Sequence, residues 1–258
     1  MLRTKIKTVA VLNVIVIPLV IFADRVPYLM NAAVSFLAVY GLIELYRACG
    51  MLRKRFIPAF ALNAAANLAL CFAPIPWLSR FVAGFYAAAV LFFALLMTRV
   101  GSFRFDRVWK VFPVGAMLGL FYRCIVEVRA SRMGMYLTFL MIIVSIVNEM
   151  GGYFIGRRFG KKKLAPAVSP NKTIEGSLGG AASAILIALS VSEAAGAIAG
   201  FDINGGRLFV YTLLSSAAVQ FGDLCMSAVK RTCGIKDFGR LMPGHGGVLD
   251  RFDGQLFS

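Results

Sequence analysis

The sequence has 258 residues, of which 59% are hydrophobic and 16% charged, and its formal net charge is +16. A soluble domain carries roughly 25% charged residues, so the composition argues against a water-soluble enzyme or a nucleic-acid-binding module. It points instead to a polytopic membrane protein whose basic loops face anionic lipid headgroups or an anionic substrate.

In chain order, apolar runs fall at about 8–23, 28–46, 57–75, 81–98, 108–126, 135–155, 176–199 and 207–224, each near the ~20 residues that a bilayer-crossing helix needs. The expected fold is therefore an all-α membrane protein of about eight transmembrane helices. Arg3, Lys5 and Lys7 precede the first run as in a signal peptide. That run ends at Ala23-Asp24-Arg25 with no small-x-small cleavage site, so it is expected to remain as a helix. The N-terminus and the loops after spans two, four, six and eight hold 22 Lys and Arg, and the four opposite loops hold 6. The positive-inside rule then places both termini in the cytoplasm. Arg123, Arg129 and Arg132 make one opposite loop unexpectedly basic. The loops 156–175 and 224–258 fall on the same cytoplasmic side. Residues 1–134 read as a scaffold of about five helices, and residues 135–258 as the region carrying the chemistry.

Within span seven, Gly176 and Gly180 form a GxxxG pattern suited to close helix packing. The cysteines, Cys49, Cys71, Cys124, Cys225 and Cys233, show no CxxC pair and read as small apolar fillers. Glu44 and Glu193 read as acids near span ends, without chemistry.

Polar residues gather in three places. In the loop 156–175, Lys161, Lys162 and Lys163 suit a headgroup-facing collar. Asn171 is the expected N-cap of the next helix, which would put Lys172 in its first turn, where free N–H groups favour phosphate oxygens. Glu175 there either complements the helix dipole, pairs with Lys172 or binds a cation. Asn148 and Glu149 sit in an apolar run, where an acid is costly; Glu149 either pairs or binds metal, or reaches the interface. The third place is QFGDLCMSAVKRTCGIKDFGRLMPGHGGVLDRFD, residues 220–253. Asp223 opens it at the end of span eight, and Lys230-Arg231 and Lys236-Asp237 follow on an expected interfacial helix. The glycines around His245, the only histidine, allow a tight turn against a ligand. Asp250 and Asp253 are spaced to share a helix face. Carboxylates among Lys and Arg suit a polyphosphate carried with Mg2+. Walker A, GxGxxG, HExxH and GxSxG patterns are absent.

At these residues the chain resembles the phosphatidate cytidylyltransferase (CDP-diacylglycerol synthase) family. Ser227-Ala228-Val229-Lys230-Arg231, Lys236-Asp237, Pro243-Gly244-His245-Gly246-Gly247 and Asp250-Arg251-Phe252-Asp253 fit its signature spacing, and Ser169-Pro170-Asn171-Lys172-Thr173-Ile174-Glu175-Gly176 is similar to its SPxKTxEG element. The motifs cover roughly 145–253. Glu149 stands where the family typically has Asp, Gly152-Tyr153 replaces Ala-Tyr, and Gly254-Gln255-Leu256-Phe257-Ser258 follows Asp253 where the family continues with Ser-Leu and another membrane helix.

The resemblance implies transfer of CMP from CTP to phosphatidic acid in a bacterial cytoplasmic membrane, with the site facing the cytosol and no nucleic acid involved. It implies catalytic roles for Asp223, Asp250, Asp253, Lys230 and Arg231, and Mg2+, with room for a second cation, on Asp223, Asp250, Asp253 and Glu149. Substrate contacts are implied for Ser169, Lys172, Glu175, Lys236, Asp237, His245, Gly246, Gly247 and Arg251. Membrane lipids complete the partners, and a homodimer is compatible with them. A CTP-dependent lipid kinase, a cation transporter and a non-catalytic relative stay open as alternatives.

Overall fold

The computed structural model describes residues 14, 17–23, 25–26, 28–72, 107–200, 202–239, 241, 246–252, 254 and 257. Helices dominate: α1 Leu29–Ala48, α2 Ile57–Phe72, α3 Arg107–Ala130, α4 Gly134–Phe159, α5 Ile174–Ala199, α6 Gly205–Thr232 and the single turn α7 Leu249–Phe252. A two-stranded antiparallel hairpin, β1 Lys163–Ala165 and β2 Ser169–Thr173, lies between α4 and α5. Among the described residues, α1, α4, α5 and α6 are long and apolar enough to cross a membrane. The expected spans at 28–46, 135–155, 176–199 and 207–224 coincide with them. Expected span 57–75 is helical over Ile57–Phe72, and 73–75 lie outside the described residues. The span at 108–126 becomes α3, which carries Arg123, Glu127 and Arg129 within it. Half of the span at 8–23 lies outside the described residues, its described part being helical at 17–22, and the span at 81–98 lies wholly outside them.

Contacts divide the chain into two units, residues 1–135 with 229–252, and residues 136–228 with 253–258. In the first unit α1, α2 and α3 pack against one another around Leu42, Leu45, Leu118 and Tyr122, all 0–1% exposed. Apolar burial is joined by polar stitches. Asn67 donates to the Gly115 carbonyl (3.1 Å), and Asn63 donates to the Tyr46 hydroxyl (3.2 Å). Arg123 donates to the Cys71 carbonyl at 3.2 Å and pairs with Glu127. Arg129 donates through Nε and Nη2 to the Val20 carbonyl, at 3.3 and 3.0 Å. Both guanidinium groups thus satisfy helix-end carbonyls, which explains basic residues in what the sequence reads as an outside loop.

Two of this unit's helix ends are built alike. After α1, Met51 N–H donates to Tyr46 and Gly50 N–H to Arg47; after α6, Ile235 N–H donates to Lys230 and Gly234 N–H to Arg231. This pairing closes a helix with a left-handed residue, and Gly50 and Gly234 have φ of 69° and 71°. The residue before each glycine is a cysteine, and Cys49 and Cys233 are joined in a disulfide, Cα–Cα 5.3 Å. Two of the five cysteines therefore depart from the expected role of apolar fillers; 184 residues separate them, so no local spacing pairs them. Cys71 and Cys225 are buried free thiols and Cys124 is a half-buried one.

In the second unit α4, α5 and α6 enclose Leu140, Val144, Ala184, Ala188 and Leu208. The small residues of α5 serve close approach, as the sequence implies. A Cβ at Gly180 would lie 2.5 Å from the Asn148 carbonyl, and one at Gly176 would lie 2.7 Å from that of Gly152. The two backbones touch there, so both helices need glycine.

The 156–175 segment folds differently from expectation. Asn171 is not the N-cap, and Lys172 lies in β2 instead of a helix turn. Thr173, extended at φ −124° and ψ 154°, is the cap, its Oγ1 accepting the Gly176 N–H at 3.1 Å. A β-branched residue suits both the strand end and the cap. Similarly, α6 runs unbroken to Thr232, so Lys230 and Arg231 sit on the same helix as Asp223 and not on a separate interfacial one.

Candidate active site

Two polar clusters hold most of the expected residues. The first, in the 136–228 unit, pairs Lys172 of β2 with Asp223 of α6 through Nζ and Oδ2, both side chains about a third or less exposed. Ser227, one turn further on α6, donates its hydroxyl to Asp223 Oδ1 at 3.4 Å. The hairpin brings Lys172 there, and Glu175 holds the hairpin. Its carboxylate accepts N–H bonds from Lys161 (3.0 Å) and Lys162 (3.2 Å), and Ile174 N–H donates to the Lys162 carbonyl. Glu175 pairs with backbone in this structure and not with Lys172. Ser169 opens β2, opposite Ala165.

One turn before Asp223, Gln220 ties three helices together. Its Nε2 donates to Asn148 Oδ1 (2.9 Å) and to the Ser177 carbonyl (3.0 Å), and its Oε1 accepts the Ser177 hydroxyl. Asn148, itself buried, donates to the Ser216 carbonyl at 3.2 Å. The neighbouring Glu149 is exposed. Buried amides of this kind specify one arrangement because any alternative leaves them unsatisfied.

The second cluster, in the unit that contains 229–252, centres on Asp250. Its Oδ1 accepts Lys230 Nζ at 3.0 Å, and its Oδ2 accepts N–H bonds from Phe238 (2.8 Å), Gly247 (3.0 Å) and Gly239 (3.4 Å). The side chains of Lys230 and Asp250 are 11% and 3% exposed, and the Lys230 ammonium lies 5.5 Å from the Phe238 ring centroid. A carboxylate this deep is held by charge-assisted bonds on both oxygens. Gly246 takes φ +84° beside it, and a Cβ there would meet Asp250 Oδ2 at 2.8 Å.

Behind this loop stands Glu44 of α1, buried, whose Oε1 and Oε2 accept the N–H groups of Val248 (3.1 Å) and Leu249 (2.9 Å). In the sequence it stands only as an acid in an apolar run, since its partners lie more than 200 residues away. Arg231 is exposed and donates to the Ile235 carbonyl at 3.2 Å. Lys236 and Asp237 are exposed, and Arg251 is half-buried with its Nε unpaired among the described residues. Arg251 lies on the α7 turn with Asp250. His245 and Asp253 lie outside the described residues. Among those described, no group of three or more His, Cys, Asp and Glu gathers.

Four of the described helices are long and apolar enough to cross a membrane, and two lysine–carboxylate pairs stand in the polar parts of the chain. The sequence profile of the cytidylyltransferase family matches residues 3–258. The phosphatidate cytidylyltransferase of Bacillus subtilis (strain 168) is 39% identical over 157 residues, covering 60% of this chain and 57% of the relative. That of Staphylococcus aureus (strain COL) is 33% identical over 228 residues, 86% of this chain and 85% of the relative. That of Staphylococcus epidermidis (strain ATCC 35984) is 40% identical over 142 residues, covering 55% of this chain and 52% of the relative. The chain belongs to the cytidylyltransferase family.

Proposed function

We propose that this protein transfers CMP from CTP to phosphatidic acid, giving CDP-diacylglycerol and pyrophosphate. The observation that carries the reading is the buried Lys230–Asp250 pair, built from signature residues in a chain 33% identical over 86% of its length to a protein named phosphatidate cytidylyltransferase. In the reaction a phosphate oxygen of phosphatidic acid forms a bond to the α-phosphorus of CTP. The bond from that phosphorus to the bridging oxygen breaks, and pyrophosphate leaves with its electron pair. Such a displacement needs in-line positioning and neutralised charge, and no covalent protein intermediate.

The residues divide this work. Lys172, Lys230 and Arg231 supply positive charge to phosphate oxygens, and His245, Gly246 and Gly247 are assigned to receive the nucleotide. Ser169, Lys236, Asp237 and Arg251 are assigned to further substrate contacts, and Glu175 to holding the hairpin that presents Lys172. Mg2+ fits the donor set unevenly. Asp223, partly exposed beside a serine hydroxyl, offers hard oxygens with room for more ligands. Asp250 has Oδ2 occupied by backbone N–H groups and Oδ1 by the Lys230 ammonium, so it would contribute Oδ1 only where Lys230 turns from it to a substrate phosphate. Asp253 and Glu149 complete the carboxylates assigned to metal. When bound, Mg2+ neutralises charge on the triphosphate. The apolar helices keep the diacylglycerol in the bilayer of a bacterial cytoplasmic membrane while CTP arrives from the cytosol, where the basic loops 156–175 and 224–258 face it.

The test is label transfer by the purified protein with phosphatidic acid and Mg2+. Label at the α-phosphorus of CTP should enter lipid, and label at the β and γ positions should appear in pyrophosphate. Entry of γ-label into lipid would make it a lipid kinase, and absence of Mg2+-dependent incorporation would overturn the reading.

A further inference from the structure

We propose that Glu44, on α1 and outside every signature motif, is a positioning residue for this transfer that acts by fixing the backbone around Asp250. The inference rests on the reading given under Proposed function. Glu44 is 3% exposed, so its carboxylate sits where water cannot serve it, and it takes its bonds from the backbone of the closing loop. The Val248 and Leu249 N–H groups it accepts open the α7 turn. Without an acceptor both would be orphaned donors at a helix start. The contact is close on its flank as well. A Cβ at Gly239 or Gly247 would overlap the Glu44 carboxylate, so these two backbones lie directly against it.

The same two glycines donate their N–H groups to Asp250 Oδ2. The backbone at Gly239 and Gly247 therefore touches both carboxylates, Glu44 by close approach and Asp250 by hydrogen bonds. Leu249, which donates to Glu44, is covalently joined to Asp250, and its side chain is fully buried over Gly41 of α1. The Cys49–Cys233 bridge anchors the start of the loop to the end of the same helix. A displacement of about 1 Å in a reacting constellation can cost about 100-fold in rate, and Glu44 removes that freedom from Asp250 and, through it, from Lys230.

Glu44→Gln tests the proposal. The amide retains the shape and one acceptor but sets an NH2 against the second N–H. The expected result is a folded, membrane-inserted protein whose kcat falls about 10- to 100-fold while KM for phosphatidic acid stays within about twofold. Amide exchange should rise at Val248 and Leu249. A kcat within about twofold of the unsubstituted chain overturns the proposal, as does a loss accounted for by the unfolded fraction alone. Should Glu44→Gln fail to insert, Glu44→Asp, which keeps the charge but draws it back from both N–H groups, is read by the same criteria. If the unsubstituted chain makes no CDP-diacylglycerol, the activity reading fails, and exchange at 246–249 in the Gln variant still decides whether Glu44 fixes the loop.

Discussion

Replacing Asp250 with Asn is the sharpest probe of how the closing loop is held. The carboxylate serves four donors: Lys230 Nζ on one oxygen, and the N–H groups of Phe238, Gly239 and Gly247 on the other. An amide has one oxygen and one NH2. If the oxygen keeps the backbone donors, the NH2 faces the Lys230 ammonium; if it is turned to Lys230, the NH2 faces the N–H groups. Either orientation removes a charge partner from a lysine whose side chain is 11% exposed. Breaking one side of a buried pair costs about 3–5 kcal/mol. On the scaling of about 2–4 °C per kcal/mol for chains near this size, the melting midpoint should fall by roughly 10 °C. The assay is melting by intrinsic fluorescence in detergent micelles alongside transfer of α-labelled CMP, which should fall by about 100-fold or more. The double variant Lys230→Met/Asp250→Asn should recover part of the stability, because the buried cation is gone, and none of the transfer. An unchanged midpoint with a near-native rate for Asp250→Asn would refute the reasoning.

The Lys172–Asp223 pair is more exposed, so Asp223→Asn should change stability by no more than about 1 kcal/mol while abolishing CMP transfer; a comparable melting loss in both aspartate variants would contradict the different burial of the two sites. Gly180→Ala should destabilise by about 1–3 kcal/mol through overpacking, because its Cβ meets the Asn148 carbonyl at 2.5 Å, whereas Gly152→Ala, with 3.3 Å to the nearest carbonyl, should cost less, the difference being read by thermal melting. Cys49→Ser should lower the melting midpoint under oxidising conditions and leave it unchanged in excess dithiol, since the bridge to Cys233 is then open in both proteins.

What the sequence made legible was whatever is written locally. Apolar runs located α1, α4, α5 and α6 to within a few residues at most boundaries, because lipid-length hydrophobicity needs no tertiary context. The exception is the end of α6, where Lys230 and Arg231 looked like a new interfacial element although the backbone simply continues to its cysteine–glycine stop. The hairpin was missed because Ser-Pro-Asn-Lys-Thr has turn and cap chemistry at nearly every position. The Ile174–Lys162 and Glu175–Lys161 bonds that settle it cross the turn. The motifs singled out Lys172, Asp223, Lys230 and Asp250, but not that Lys172 pairs with Asp223 and Lys230 with Asp250. Nothing near Glu44 in the chain announces Val248, and nothing near Cys49 announces Cys233.

Arg123 and Arg129 bear on how sidedness is read from charge. Each is 7–8% exposed and donates to the carbonyl of Cys71 or Val20, and Arg123 also pairs with Glu127. A guanidinium used as an internal brace has little left for lipid headgroups or for a membrane potential. Counting it with the loop residues dilutes the asymmetry that the other cations display. Reporter fusions placed along the chain should accordingly follow the basic cluster of 156–175, and neutralising Arg123 should loosen the packing of α2 against α3 without inverting the protein in the membrane.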